Sequence, residues 1–205
     1  MNRPLTGIRA DRKRSYFSIE QCAHDLRTLL KLSPLDRFDA KGFYDDILPD
    51  STVVCGSGTI ALREAVEDCT QEGMTRWNSE LHVVEVVLSG ETYQLLQTDH
   101  VRARSTVAHE LGHAYLHTDQ IIRLAGMSLT SQVAFHRERN GHQAYEDTEW
   151  QANAFAAAVL MPAEGIERQF NRYGRHRIVE IAEIFGVSTE SVQYRIQTFE
   201  KGLGR

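Results

Sequence analysis

Apolar residues recur at helical spacing early in the chain. Ile19, Cys22, Ala23, Leu26, Leu29 and Leu30 share one face, which predicts a helix starting with a cap at Ser18 and broken by Ser33-Pro34. Phe38, Phe43, Tyr44, Ile47 and Leu48 predict a second, short helix ending at Pro49. Thr52-Val53-Val54-Cys55 is β-branched and closed by Gly56-Ser57-Gly58, as a strand entering a turn would be. The segment 60–70 (IALREAVEDCT) reads as helix, and the segments 81–88 and 92–97 read as two strands turned at Ser89-Gly90. A helix is expected over about 101–117, a strand around 132–136, and an alanine-rich helix over 148–160 stopped by Met161-Pro162. A last helical pair, 178–199, hinges at Gly186-Val187-Ser188. The pattern is that of an α+β fold, mostly helical, with a small antiparallel or mixed sheet just upstream of the 101–117 helix.

No internal repeat or linker interrupts this series. The expected organisation is a flexible basic tail over 1–17, a main domain over 18–170, and a C-terminal helical pair over 171–205 packed on that domain. The 205 residues, 41% hydrophobic and 25% charged, suffice for a real core. No apolar stretch approaches the roughly 18 residues of a membrane span, and the arginines near the N-terminus precede no signal-type apolar segment. Cys22, Cys55 and Cys69 show neither metal spacing nor a pairable number, so a reducing cytoplasm is the expected setting. A net charge of −5 offers nucleic acid no general attraction.

The segment most informative about chemistry is His109-Glu110-Leu111-Gly112-His113. Residues four apart on a helix lie about 6 Å apart along its axis and about 40° around it. Two imidazoles so placed converge on one small cation, with Glu110 beside them. A catalytic zinc takes three protein ligands and keeps a fourth position for water, whose pKa falls to about 7. The third ligand has three possible sources. Asp119 stands where the metzincin pattern puts its last ligand, but Leu116 replaces the glycine that the chain reversal needs. His117, one turn further on, lies too far along the axis to join the other two around one tetrahedral ion, which suits packing or support better. An acidic residue on the later helix is the third source, from Glu146, Asp147 and Glu149. Glu149 and Asn153 share a face at i and i+4, Ala152 and Ala156 would let that face approach another helix, and Asn153 would hold a ligand's outer atom.

AHELGHAYLH followed by EWQANAFAAAVLMP resembles the ImmA/IrrE family of bacterial zinc metallopeptidases. The family's signature joins a His-Glu-x-x-His helix, with Leu-His just beyond, to a Glu-x-x-Ala-Asn-x-Phe-Ala…Leu-x-Pro helix. The likeness covers about 101–162 and extends more weakly to 199; Ser105-Thr106-Val107 departs from the family's usual Phe-Thr before Ala-His. The resemblance implies a zincin-like minimal metallopeptidase, with His109, His113 and Glu149 as ligands of zinc (or manganese) and Glu110 as general base. It further implies a protein substrate, a helix-turn-helix repressor whose cleavage switches genes on.

The C-terminal pair carries helix-turn-helix cues: Ala182, Gly186 at the turn, Ser188 as cap and Val192. Arg195, however, occupies a position where that pattern wants an apolar side chain, and the second helix offers Thr189, Glu190, Gln193 and Tyr194, with little positive charge. Contact with protein is therefore expected rather than with DNA. Two functional classes follow: a peptidase, or a regulatory module with a structural or inactive metal site. Glu110 separates them, because a structural site needs no base. Tyr145, His142 and His136 are the candidates for stabilising an oxyanion, and the segment 81–88 or 92–97 the candidate to pair with substrate as an added strand.

Overall fold

The computed structural model describes residues 7–127, 143–174 and 176–198. Helix α1 (Tyr16–Leu29) starts three residues earlier than Ser18 suggests, because the Ser15 hydroxyl accepts from Ser18 N at 3.2 Å. A helical segment follows: α2 (Ala40–Gly42), capped by Asp39, continues as a π-turn through Phe43–Ile47 and a 3-10 turn through Leu48–Asp50. Its Tyr44 is fully buried, and the hydroxyl donates to Ala65 O at 2.6 Å and accepts from Ala65 N at 3.2 Å, which locks this helical segment onto the sheet.

The sheet has four strands in the order β1-β2-β4-β3. They are β1 (Thr52–Cys55), β2 (Gly58–Glu67), β3 (Gly73–Asn78) and β4 (Val83–Ser89). β2 and β4 are parallel, with Leu62 opposite Val84, and the other two pairings are antiparallel, so the sheet is mixed. β4 is buried along its whole length, as a central strand covered on both faces should be. The segment expected as a helix at 60–70 is therefore mostly strand β2. Alanine, leucine, arginine and glutamate favour helix, but hydrogen bonding to strands on both sides outweighs a propensity of tenths of a kcal/mol per residue. The opposite correction falls on 92–97, which is helix α3 (Gly90–Gln97): Ser89 is no hairpin turn but an N-cap accepting from Thr92 N at 3.1 Å.

Helix α4 (Val101–Ala125) runs under the sheet and extends two turns past the expected end. Ala103, Val107, Ala108, Leu111 and Ala114 are fully buried along it. Helix α5 (Thr148–Leu160) crosses α4; Asp147 caps its start, accepting from Trp150 N at 2.8 Å. Helix α6 (Ala163–Tyr173), absent from the sequence expectation, follows Pro162. The pair α7 (Ile178–Phe185) and α8 (Thr189–Thr198) turns at Gly186, whose φ of 63° closes α7 in the left-handed region, and Ser188 caps α8. The expected strand around 132–136 lies outside the described residues.

The segment expected to be a loose tail packs against the start of α5 from residue 7 onward. Ala10 N donates to Glu146 O at 2.7 Å and Thr148 N donates to Ile8 O at 3.0 Å, while Arg9 and Lys13 pair with the Glu146 carboxylate. The backbone polar groups at the mouth of α5 need partners, and this strand-like segment supplies them. No helix among the described residues is long and apolar enough to cross a membrane.

Candidate metal centre

His109 and His113 come from consecutive turns of α4 and Glu149 from the first turn of α5. The two helices can bring them together because they cross with almost nothing between them. A Cβ on Gly112 would fall 2.8 Å from Ala152 Cα and 2.9 Å from Ala152 O. Three residues further along both helices the Tyr115 and Phe155 rings stack, with centroids 5.8 Å apart.

The three side chains meet closely. His109 Nε2 is 3.1 Å from Glu149 Oε2 and 3.1 Å from His113 Nε2, and His113 Nε2 is 3.2 Å from Glu149 Oε1. Ligand atoms bound tetrahedrally at zinc's 2.0–2.1 Å lie about 3.3 Å from one another, so the observed triangle is close to one face of that tetrahedron. The fit is good for a small divalent ion. The triad is half-buried, so it keeps a face toward solvent. Burial opposes ionisation of Glu149, but hydrogen bonding with His109 and the nearness of His113 outweigh it and hold the carboxyl well below its ordinary range. Burial likewise disfavours the charged form of His109, and Glu149 and Glu110 reverse that, so its pKa is raised.

The rival ligands are engaged elsewhere. Asp119 accepts from Gly56 N (2.9 Å), Ser57 N (3.0 Å) and Ser57 Oγ (2.9 Å), which ties the β1–β2 turn to α4. Glu146 holds the N-terminal segment and Asp147 caps α5. His117 lies behind the triad: its Nδ1 is 3.2 Å from His113 Nδ1 and its Nε2 is 3.1 Å from Gln151 Oε1. Burial first, then the charge of His113, push the His117 pKa down to about 3. Asn153 donates to the Glu149 backbone carbonyl at 2.7 Å, not to its carboxylate.

Glu110 extends from α4 toward β3, with its charge still near enough to His109 to help raise the pKa of that ring. It is 6% exposed, and the Thr75 hydroxyl lies 2.8 Å from its Oε2 and 2.9 Å from its backbone oxygen. Gly73 makes room for it, since a Cβ there would sit 3.0 Å from Glu110 Cγ and 2.8 Å from Thr106 Cγ2. β3 escaped the sequence reading because glycine and asparagine at its ends look like loop, although Met74-Thr75-Arg76-Trp77 alternates as an edge strand does. It is also the edge strand nearest Glu110. The segments first considered for pairing with substrate are unsuited, since 83–89 lies inside the sheet and 90–97 is helix. Of the proposed oxyanion partners, His136 and His142 lie outside the described residues. The Tyr145 carbonyl is engaged by Arg14 N and Gln151 Nε2, and Lys13 Nζ sits 5.9 Å over its ring.

Arg195, the residue that disturbs the helix-turn-helix pattern, is 1% exposed. It pairs with Glu20 of α1 and donates to Met161 O at 3.0 Å. Arg104 of α4 likewise donates to Gly186 O at 3.0 Å and Phe185 O at 3.3 Å, at the end of α7. Two buried guanidinium groups therefore fasten the C-terminal pair to the rest of the fold.

Residues 97–197 match the Peptidase_M78 family, described as the IrrE N-terminal-like domain. Among solved structures, a Mycobacterium tuberculosis transcriptional regulator is similar in fold, with a TM-score of 0.51 and 17% identity over 90% of this chain. The chain spans 57% of that protein's length. A search of curated proteins finds no match.

Proposed function

From a chain whose residues 97–197 belong to the IrrE N-terminal-like domain family, we propose a metal-dependent endopeptidase that cleaves a protein partner. The observation that carries this reading is the convergence of His109, His113 and Glu149, with the buried Glu110 carboxylate between that triad and an edge strand. The family match supports a metallopeptidase-like chain, and the resemblance of the two motifs supports a helix-turn-helix repressor as its substrate. The same chemistry supports zinc, with manganese as the other ion such a donor set accepts.

A divalent ion bound by the triad would supply Lewis acidity, polarising the scissile carbonyl and making a water more acidic. The protein's own groups account for the rest. His109 and His113 present neutral nitrogens, and Glu149 balances part of the ion's charge. Glu110 takes a proton from the attacking water and hands it to the leaving amine, so it returns to its starting state after each cut. Thr75 holds the carboxylate in place from β3. The outer edge of β3 carries no strand partner among the described residues, and an extended substrate segment pairing there would run its peptide bonds past Glu110.

The test compares repressor length on a gel with the wild type, with Glu110→Gln, and with wild type plus chelator. Cleavage in the first lane alone is expected, with Glu110→Gln folded, metal-loaded and slower by about 10²–10⁴-fold. An intact repressor in all lanes across neighbouring candidates favours a binding module. Equal cleavage by Glu110→Gln places the base elsewhere.

A further inference from the structure

The triad leaves one question open, namely what makes His113 offer Nε2 to a cation as a bare lone pair. The hydrogen bonds behind it give an answer that starts on another helix, at Gln151 of α5. Gln151 is fully buried, and its amide nitrogen donates to Arg12 O at 2.9 Å and to Tyr145 O at 2.8 Å. Both amide hydrogens are thereby used on carbonyls that cannot donate in return, so the amide oxygen must be the atom facing His117 Nε2, 3.1 Å away. An oxygen acceptor requires that Nε2 carry the hydrogen. A neutral imidazole has only one, so His117 Nδ1 is an acceptor, and the atom facing it at 3.2 Å is His113 Nδ1. That nitrogen must then be the protonated one of its ring. His113 Nε2 is left bare, and it is the nitrogen aimed at His109 and Glu149.

We propose that Gln151 and His117 are positioning residues that fix the tautomer and ring orientation of His113, through a chain of hydrogen bonds anchored on the main chain at Arg12 and Tyr145. Each link from Gln151 to His113 Nδ1 follows from counting hydrogens, and the two side chains behind His113 are buried, Gln151 fully and His117 to all but 5%. The arrangement also gives the N-terminal segment a part in the site: the Arg12 carbonyl is one of the two acceptors that orient the Gln151 amide. The role in metal binding rests on the proposed ligand set, whereas the tautomer is a property of the protein without metal.

The two are measured separately. In ¹⁵N-labelled, metal-stripped full-length protein at about pH 8, two-bond ¹H–¹⁵N correlation reads which ring nitrogen of each histidine is protonated. His113 with hydrogen on Nδ1 and His117 with hydrogen on Nε2 is the expected result; His113 with hydrogen on Nε2 overturns the proposal. Zinc affinity by chelator competition then compares wild type, His117→Phe and His117→Asn. Phenylalanine keeps the ring volume without an acceptor and should weaken zinc binding by about 10–100-fold. Asparagine places an amide oxygen near the position of Nδ1 and should remain within about 3-fold of wild type. A folded His117→Phe protein with wild-type affinity overturns the proposal, as does equal weakening in the two variants, which would mean packing alone. A wild type that binds no zinc sinks the ligand assignment instead, while the nuclear magnetic resonance result still decides the tautomer. Should His117→Phe not fold, that same wild-type spectrum is the deciding measurement.

Discussion

Gly112 and Ala152 touch main chain to main chain: the Cβ that Gly112 lacks would lie 2.8 Å from Ala152 Cα. This contact sets the separation of α4 and α5 and with it the reach of Glu149 to the two histidines. Alanine in place of a mid-helix glycine ordinarily stabilises by about 0.5–1 kcal/mol. Here the sign reverses, because the obstacle is backbone and not a movable side-chain end. Gly112→Ala should lower stability by about 1–3 kcal/mol in urea unfolding and weaken zinc binding as well. A variant more stable than wild type with unchanged metal affinity would show that the crossing tolerates the extra methyl.

Of the three acidic residues at the head of α5, Glu149 alone faces the histidines. Glu149→Gln should weaken zinc binding by about 10-fold or more, since an amide oxygen is a poorer ligand than a carboxylate. Glu146→Gln should leave affinity near wild type and act on the N-terminal segment, whose Arg9 and Lys13 it holds. Isothermal titration separates the two. A larger metal effect from Glu146 would place the wrong residue in the site.

Thr75→Val keeps the side chain's shape and removes the hydroxyl that holds the Glu110 carboxylate. The expected outcome is a fall of roughly 10-fold in kcat with zinc affinity unchanged, about 1.4 kcal/mol of lost transition-state stabilisation. Unchanged kcat on a cleavable peptide would mean that Glu110 is oriented without β3.

Asp119 provides a pH test outside the metal site. Hydrogen bonds from the Gly56 amide, and then from Ser57, outweigh burial and lower its pKa from 3.8 to about 2. A carboxyl with a depressed folded-state pKa stabilises above its unfolded pKa, and that contribution fades as pH falls through the folded value. Asp119→Asn should therefore melt below wild type at neutral pH, with the gap closing as pH drops from about 4 to about 2. A gap independent of pH would show that the charge plays no part in holding the β1–β2 turn.

The parts legible in the sequence were those whose evidence is local. The i, i+4 pair His109 and His113 shares a helix face whatever surrounds it, and the Ala-rich run of α5 with its Asp147 cap and its Met161-Pro162 stop is helical by propensity and end signals alone. Glu149 could be singled out because its face carries small residues. The segments 60–67 and 92–97 were not legible: each is short, and a handful of apolar positions fits either period. Pairing with β1 and β4 made the first a strand, and the Ser89 cap made the second a helix. β3 gave no clear signal, yet it supplies Thr75 and the space at Gly73 that position Glu110. The N-terminal segment reads as a basic tail until the unpaired backbone of the α5 terminus is there to receive it. Helix identity and the spacing of ligands are properties of a few neighbouring residues. Which carboxylate meets the histidines, what holds Glu110 and which nitrogen of His113 is free depend on groups tens of residues apart, and only the packed chain brings these into contact.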